Sequence, residues 1–194
     1  MSRRNGFTLV ELMVIFAIIA VLVAVALPVV SRARTAGKRV ACRAQLSDVG
    51  RLFQMYLNDS RNKLPHVNPI PSLRKPDGTP LMEGLSVVEL LARYTKDVTR
   101  GWRCPADAIT RKIPGTPEGF ATYFEREGIS YVYNPTLAQL YAGKQLNDHP
   151  FYRQGKQNML AVFWEFEPFH GRENTLGSMN YLFADMHVGD LGNE

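Results

Sequence analysis

Gly6-Phe7-Thr8-Leu9-Val10-Glu11 opens an apolar run that continues from Leu12 to Val30 without a charged residue, built mainly from Leu, Ile, Val, Ala, Met and Phe and broken only by Pro28. At about 1.5 Å per helical residue, the run reaches roughly 28 Å, close to the thickness of a bilayer's hydrocarbon core. The stretch therefore predicts a transmembrane helix over residues 7–30. Its order of parts is not that of a secretory signal peptide, in which a small-residue cleavage site follows the apolar region. Here basic Arg3 and Arg4 lead almost directly into small Gly6, and the apolar run comes afterwards.

Glu11 stands one helical turn into this run. A carboxylate at the centre of a membrane span costs about 2.5–3.5 kcal/mol, so it needs a partner or a route to water. Two readings satisfy it. Near the start of the helix it snorkels to the interface, or it pairs with a cationic amine on a neighbouring copy once helices bundle away from lipid. The second reading requires a cation close to the start of the neighbouring helix.

The segment Gly6 to Glu11 resembles the cleavage and methylation site of type IV prepilins and of the pseudopilins of type II secretion. The resemblance implies that residues 1–6 are a leader cut after Gly6 by a prepilin peptidase/methyltransferase, which N-methylates Phe7. It implies assembly roles for Phe7, Glu11 and Pro28, the last at a position where many members carry a helix-kinking proline. Partners would be other pilin-like subunits, stacked through their N-terminal helices into a fibre. The expected location is the bacterial inner membrane, single-pass, with the C-terminal domain periplasmic. One signal opposes that topology: Arg32, Arg34, Lys38, Arg39 and Arg43 follow the span and outnumber the two arginines before it, which the positive-inside rule assigns to the cytoplasm.

Composition bounds the remainder. The chain has 194 residues, 45% hydrophobic and 21% charged, enough after a leader and an anchor for one modest folded domain. The net charge of +5 falls to +3 once Arg3 and Arg4 leave, a mild basic balance that does not argue for nucleic acid. The basic cluster at 32–43 also lacks the interleaved aromatics of a single-strand binder, so DNA is a disfavoured partner and lipid headgroups or neighbouring subunits suit the cluster better. The two cysteines, Cys42 and Cys104, are compatible with one disulfide in a domain that leaves the cytoplasm, or with two buried thiols. A metal site built on two cysteines so far apart in sequence is disfavoured.

Past Val30 the helical period persists. Cys42, Leu46, Val49, Phe53 and Tyr56 fall at alternating steps of four and three, predicting an amphipathic extension over 31–60 whose apolar stripe carries a globular domain at 61–194. Asn58-Asp59-Ser60 and Leu64-Pro65 end it. Five prolines between Pro65 and Pro80 predict a long irregular surface connection. Ser86-Val87-Val88-Glu89 is a capping box ahead of a short helix over about 87–94. Residues 129–134, 158–165 and 179–184 read as strands, the last turning at Asp185-Met186 into His187-Val188 as a hairpin. The expected fold is α+β, a long N-terminal helix on a small antiparallel sheet with long loops.

Asn180-Tyr181-Leu182-Phe183-Ala184-Asp185-Met186-His187-Val188 is similar to the C-terminal motif of a pilin-like group abundant in planctomycete-type bacteria, with Met186 where Gly is usual. A Met there is strained if the turn needs positive φ. For chemistry, no phosphate loop, zinc pattern or nucleophile elbow is present. Asp185, His187, His170 and Glu165 form a candidate metal constellation, against which stands a turn-forming Asp and loop-satisfied histidines. Acidic residues near the C-terminus lack calcium-loop spacing, so no metal or other cofactor and no catalytic residues are assigned. Function is read as assembly, that of a pseudopilin of a type II secretion-like system. The alternative is a membrane-anchored binding or receptor module, including a DNA-binding minor pilin, that uses the prepilin route for insertion.

Overall fold

A threonine followed three residues later by a glutamate starts the long helix. The computed structural model describes residues 8–96, 101–173 and 175–191. In it Thr8 is the N-cap of α1 (Leu9–Asp59): the Glu11 N–H donates to Thr8 Oγ1 (3.3 Å), and the Thr8 N–H donates back to Glu11 Oε2 (2.8 Å). This reciprocal box satisfies two of the backbone groups that a helix start leaves unpaired. Pro28 lies inside the helix. An 18-residue window of α1 has a mean hydropathy of 3.1 with none of it buried, long and apolar enough to cross a membrane. Asp59 is the last helical residue. Beyond it Arg61 and Asn62 take left-handed φ of 56° and 62°, and the Asn62 N–H returns to the Leu57 carbonyl at 2.7 Å.

The chain divides into two compact units, residues 1–37 and 38–194. In the first, every described residue from Thr8 to Gly37 is exposed. In the second, the end of α1 supplies Cys42, Leu46, Val49, Gly50, Phe53 and Leu57 to the core, all buried. The expected stripe is present but drifts by its last turn, where Leu57 is buried and Tyr56 is half-buried. An untwisted helix drifts in this way when its apolar steps average less than 3.6 residues.

Against that face lies a four-stranded antiparallel meander in sequence order: β1 (Tyr131–Tyr133), β2 (Ala161–Glu165), β3 (Tyr181–Phe183) and β4 (Val188–Gly189). The registers pair Val132 with Trp164, Trp164 with Tyr181, and Leu182 with Val188, and a bulge between Ala161 and Phe163 offsets β2 against β3. Phe53 of α1 meets Phe163 edge-on at 5.4 Å between centroids and Tyr133 at 5.7 Å. Gly50 leaves just enough room for Leu182: a Cβ there would stand 2.9 Å from its Cδ1.

The capping box at Ser86 and Glu89 starts α2 (Val87–Leu91), which tightens into a 3-10 turn ending at Tyr94. Three short helices were not expected: α3 (Tyr123–Glu127), α4 (Pro135–Leu140) and α5 (Pro150–Arg153). The connection after Pro65 is irregular as expected, yet its first part is not on the surface. Leu64, Val67 and Asn68 are buried, with the Asn68 side chain accepting from the Ile70 N–H and donating to the Met82 carbonyl. A buried loop is tolerable when its polar groups find partners of this kind.

Candidate functional site

Two regions carry chemistry. The first is the helix start. Gly6 and Phe7, the expected processing residues, lie outside the described residues, whereas Glu11 and Pro28 are described. Glu11 Oε2 accepts from both the N–H and the hydroxyl of Thr8, each at 2.8 Å. Both donors are neutral, and among the described residues no cation pairs with Glu11. The capping role was legible as the Thr-x-x-Glu spacing but was overlooked beside the membrane question. Residues 1–27 match the family model of the prokaryotic N-terminal methylation motif. The chain's N-terminal segment is type IV prepilin-like. No curated protein and no solved structure matches the chain significantly. The motif is that of structural subunits, processed by prepilin peptidase and assembled with other pilin-like chains.

The second region of this prepilin-like protein is buried in the C-terminal unit. Cys42 on α1 and Cys104 form a disulfide with Cα atoms 4.8 Å apart. Cys104 is fixed by its surroundings: its N–H donates to Ser130 Oγ (3.0 Å), and the Ser130 hydroxyl donates to Asp107 Oδ2 (2.6 Å). Asp107 also accepts from the N–H groups of Tyr123 and Phe124 at the start of α3. Burial pushes the Asp107 carboxyl above the usual range, partly offset by these bonds.

Glu165, at the end of β2, lies beside the disulfide with no exposed surface. Its Oε2 accepts from the Asn180 backbone N–H (2.9 Å) and its Oε1 from the Asn180 side-chain amide (2.8 Å), while His170 Nε2 stands 3.0 Å from Oε1. Asn180 is held in turn by Arg43 Nε at 2.9 Å. Arg43 and Arg39 converge on Asp190 at 3.2 and 2.6 Å. Two cations of the basic cluster therefore tie α1 to the end of β4, inside the second unit.

The proposed constellation of His170, Asp185, His187 and Glu165 does not form one site. Asp185 and His187 pair with each other at the exposed hairpin, His187 Nδ1 at 2.6 Å from Asp185 Oδ1, with the imidazole stacked on Phe183. His170 and Glu165 instead join the two cysteines: one ligand atom from each of these four lies within 4.8 Å of the others. Sequence reasoning had set the cysteines aside as metal ligands because of their separation, and nothing local in the sequence marks their convergence. The hairpin turns through Met186 at φ +69°, with the Met186 N–H donating to the Phe183 carbonyl and the Phe183 N–H to the His187 carbonyl. The left-handed position expected there is real, and Met occupies it.

Glu167 anchors the loop that follows β2. Burial alone would raise its pKa, but the hydroxyls of Thr110 and Tyr123 and the N–H groups of Arg111 and Thr110 outweigh burial and hold the carboxyl below the usual range. Arg111 pairs with Glu173, Lys112 with Glu118, and Arg103 lies over the Phe124 ring. A cleft of about 500 Å³ along the 109–120 loop has its charged walls engaged in the same way, Lys112 with Glu118 and Arg126 with Glu127.

Proposed function

We propose that this chain is a pseudopilin of a type II secretion-like system, cut after Gly6, N-methylated at Phe7, held in the bacterial inner membrane with residues 38–194 in the periplasm, and drawn from there into a fibre. The observation that carries the reading is the methylation motif at the head of α1, whose exposed apolar segment, residues 9–30, holds a single carboxylate, Glu11, with only neutral partners. In lipid that uncompensated charge is costly. A methylated amine at Phe7 of a neighbour neutralises it, and the pair favours one axial stagger between subunits. The disulfide supports export, since such bonds persist in oxidising compartments. The arginine pairs with Asp190 remove part of the positive flank that spoke for a cytoplasmic domain. The C-terminal hairpin supports kinship with the planctomycete-type pilin-like group.

N-terminal peptide mass spectrometry of protein recovered from membranes of its native host tests the reading. A chain beginning at methylated Phe7 is expected, and Glu11→Ala is expected to be cut normally yet fail to enter fibres. A mature pool that retains Met1 to Gly6 overturns it.

A further inference from the structure

We propose that in its dithiol form the Cys42–Cys104 pair, together with Glu165 and His170, binds one zinc ion in a closed tetrahedral site. The donor set is two thiolates, an imidazole and a carboxylate, which are zinc's usual protein ligands. With metal–ligand bonds of about 2.0–2.3 Å, the edges of such a tetrahedron are roughly 3.3–3.8 Å. Cys104 Sγ already stands 3.7 Å from His170 Nε2 and 3.8 Å from Glu165 Oε1. The His170–Glu165 separation of 3.0 Å widens by a few tenths of an ångström when an ion lies between them. The two sulfurs part to the S–S edge of the same tetrahedron by side-chain rotation.

Three further observations point to a cation at this place. A disulfide sulfur has no proton, so Cys104 Sγ and Glu165 Oε1 face each other at 3.8 Å with no hydrogen bond between them, a separation that an ion bound to both spans. The Ala106 N–H points at Cys104 Sγ from 3.4 Å, a donor that stabilises a thiolate more than a disulfide. The outer shell holds the carboxylate ligand, whereas His170 Nδ1 is buried without a hydrogen-bond partner among the described residues. Asn180 holds both oxygens of Glu165, and Arg43 holds Asn180 and brings a positive charge toward a site whose two thiolates and one carboxylate exceed zinc's charge by one. His170 and Glu165 side chains are 1% and 0% exposed, and the cysteines are as buried, so no position is left for substrate or bulk water and the site is structural.

Binding is redox-neutral: zinc displaces two thiol protons and forms two Zn–S bonds. The disulfide is the competing state, reached when a disulfide oxidant takes two electrons from the two thiolates, becomes a dithiol itself and leaves the ion without its sulfur ligands. The chain therefore has two alternative ways to lock α1 to the Cys104 turn, metal before oxidation and a covalent bond after it.

The test uses the full-length chain in detergent, reduced with a phosphine, unfolded, and refolded with Zn²⁺ or Co²⁺ alone. One metal per chain is expected after desalting, with cobalt showing thiolate charge-transfer and tetrahedral d–d bands, and the oxidised chain holding none. His170→Ala and Glu165→Gln are each expected to weaken zinc by about ten- to a hundredfold or more, and Asn180→Ala by about ten- to a hundredfold. If a variant fails to fold, the wild-type comparison of reduced and oxidised chain decides alone. Refolding of the reduced chain only on adding zinc supports the site. A reduced chain that folds without retaining metal, one that zinc does not help to fold, or cobalt bands unchanged in both His170→Ala and Glu165→Gln overturns it.

Discussion

Replacing both Cys42 and Cys104 with alanine isolates what the cross-link contributes to the C-terminal unit. The bond joins residues 62 apart in sequence. In the loop-entropy description, closing a loop of that length removes about 14 cal/mol/K from the unfolded chain, or about 4 kcal/mol at 25 °C. Measured values for native bridges fall at or below such figures, so a loss of about 2–4 kcal/mol is expected. The assay is urea unfolding of the full-length protein in mild detergent with a chelator present, followed by the fluorescence of Trp102 and Trp164, the first buried two residues from Cys104. With a slope of about 2 kcal/mol/M, the midpoint drops by roughly 1–2 M. Reduced wild-type protein in chelator should unfold close to the double variant, because both lack the covalent loop. The reasoning is refuted if the variant and the oxidised wild type share one midpoint and one slope, since a 62-residue loop closure without thermodynamic effect contradicts the entropy on which the estimate rests.

Met186 at φ +69° pays the left-handed cost of an L-residue, so Met186→Ile, which adds β-branching at similar volume, should lose about 1–2 kcal/mol in the same assay, while Met186→Asn should be better tolerated. Gly177 takes φ +81°, and a Cβ there would collide with the Arg39 guanidinium. Gly177→Ala is expected to lose roughly 1–2 kcal/mol or more and, by double-mutant cycle, to couple to Asp190→Asn through the Arg39–Asp190 pair. Glu167 is held below its usual value of 4.5, so it binds a proton more weakly when folded than when unfolded. Its stabilisation is full above about pH 4.5 and is lost as pH falls through the lower folded value, and Glu167→Gln should flatten the stability profile in that acid window, read by unfolding midpoints between pH 3 and 7.

What the sequence disclosed and what it concealed divide along chain distance. The long helix was legible because its evidence is periodic over many residues: nineteen uncharged positions from Leu12 to Val30, then apolar steps of four and three from Cys42 onward. The strands were legible because Tyr131-Val132-Tyr133 and Val162-Phe163-Trp164 are β-branched or aromatic at every position. The helices α3, α4 and α5 span only four to six residues, too few for any period to register. Their signals are caps instead, Asn134 and His149 before Pro135 and Pro150 and Thr122 ahead of Tyr123, and a cap is a single residue that turns use equally well. The buried centre was legible only in pieces, the Cys42–Cys104 disulfide as one option and Glu165 and His170 within a larger metal candidate. Cys104 is 62 residues from Cys42 and 61 from Glu165, and only the docking of α1 on β2 brings them together. Asp185 and His187, two residues apart, drew attention because they are neighbours in sequence, and that closeness is what lets them pair with each other at the hairpin. His170 instead meets Glu165, five residues upstream, and it is the packing of α1 and the Cys104 turn that brings the cysteines to that pair. In a chain whose membrane half is fixed by composition, the chemistry of the other half therefore resides in residues that local reasoning has least purchase on.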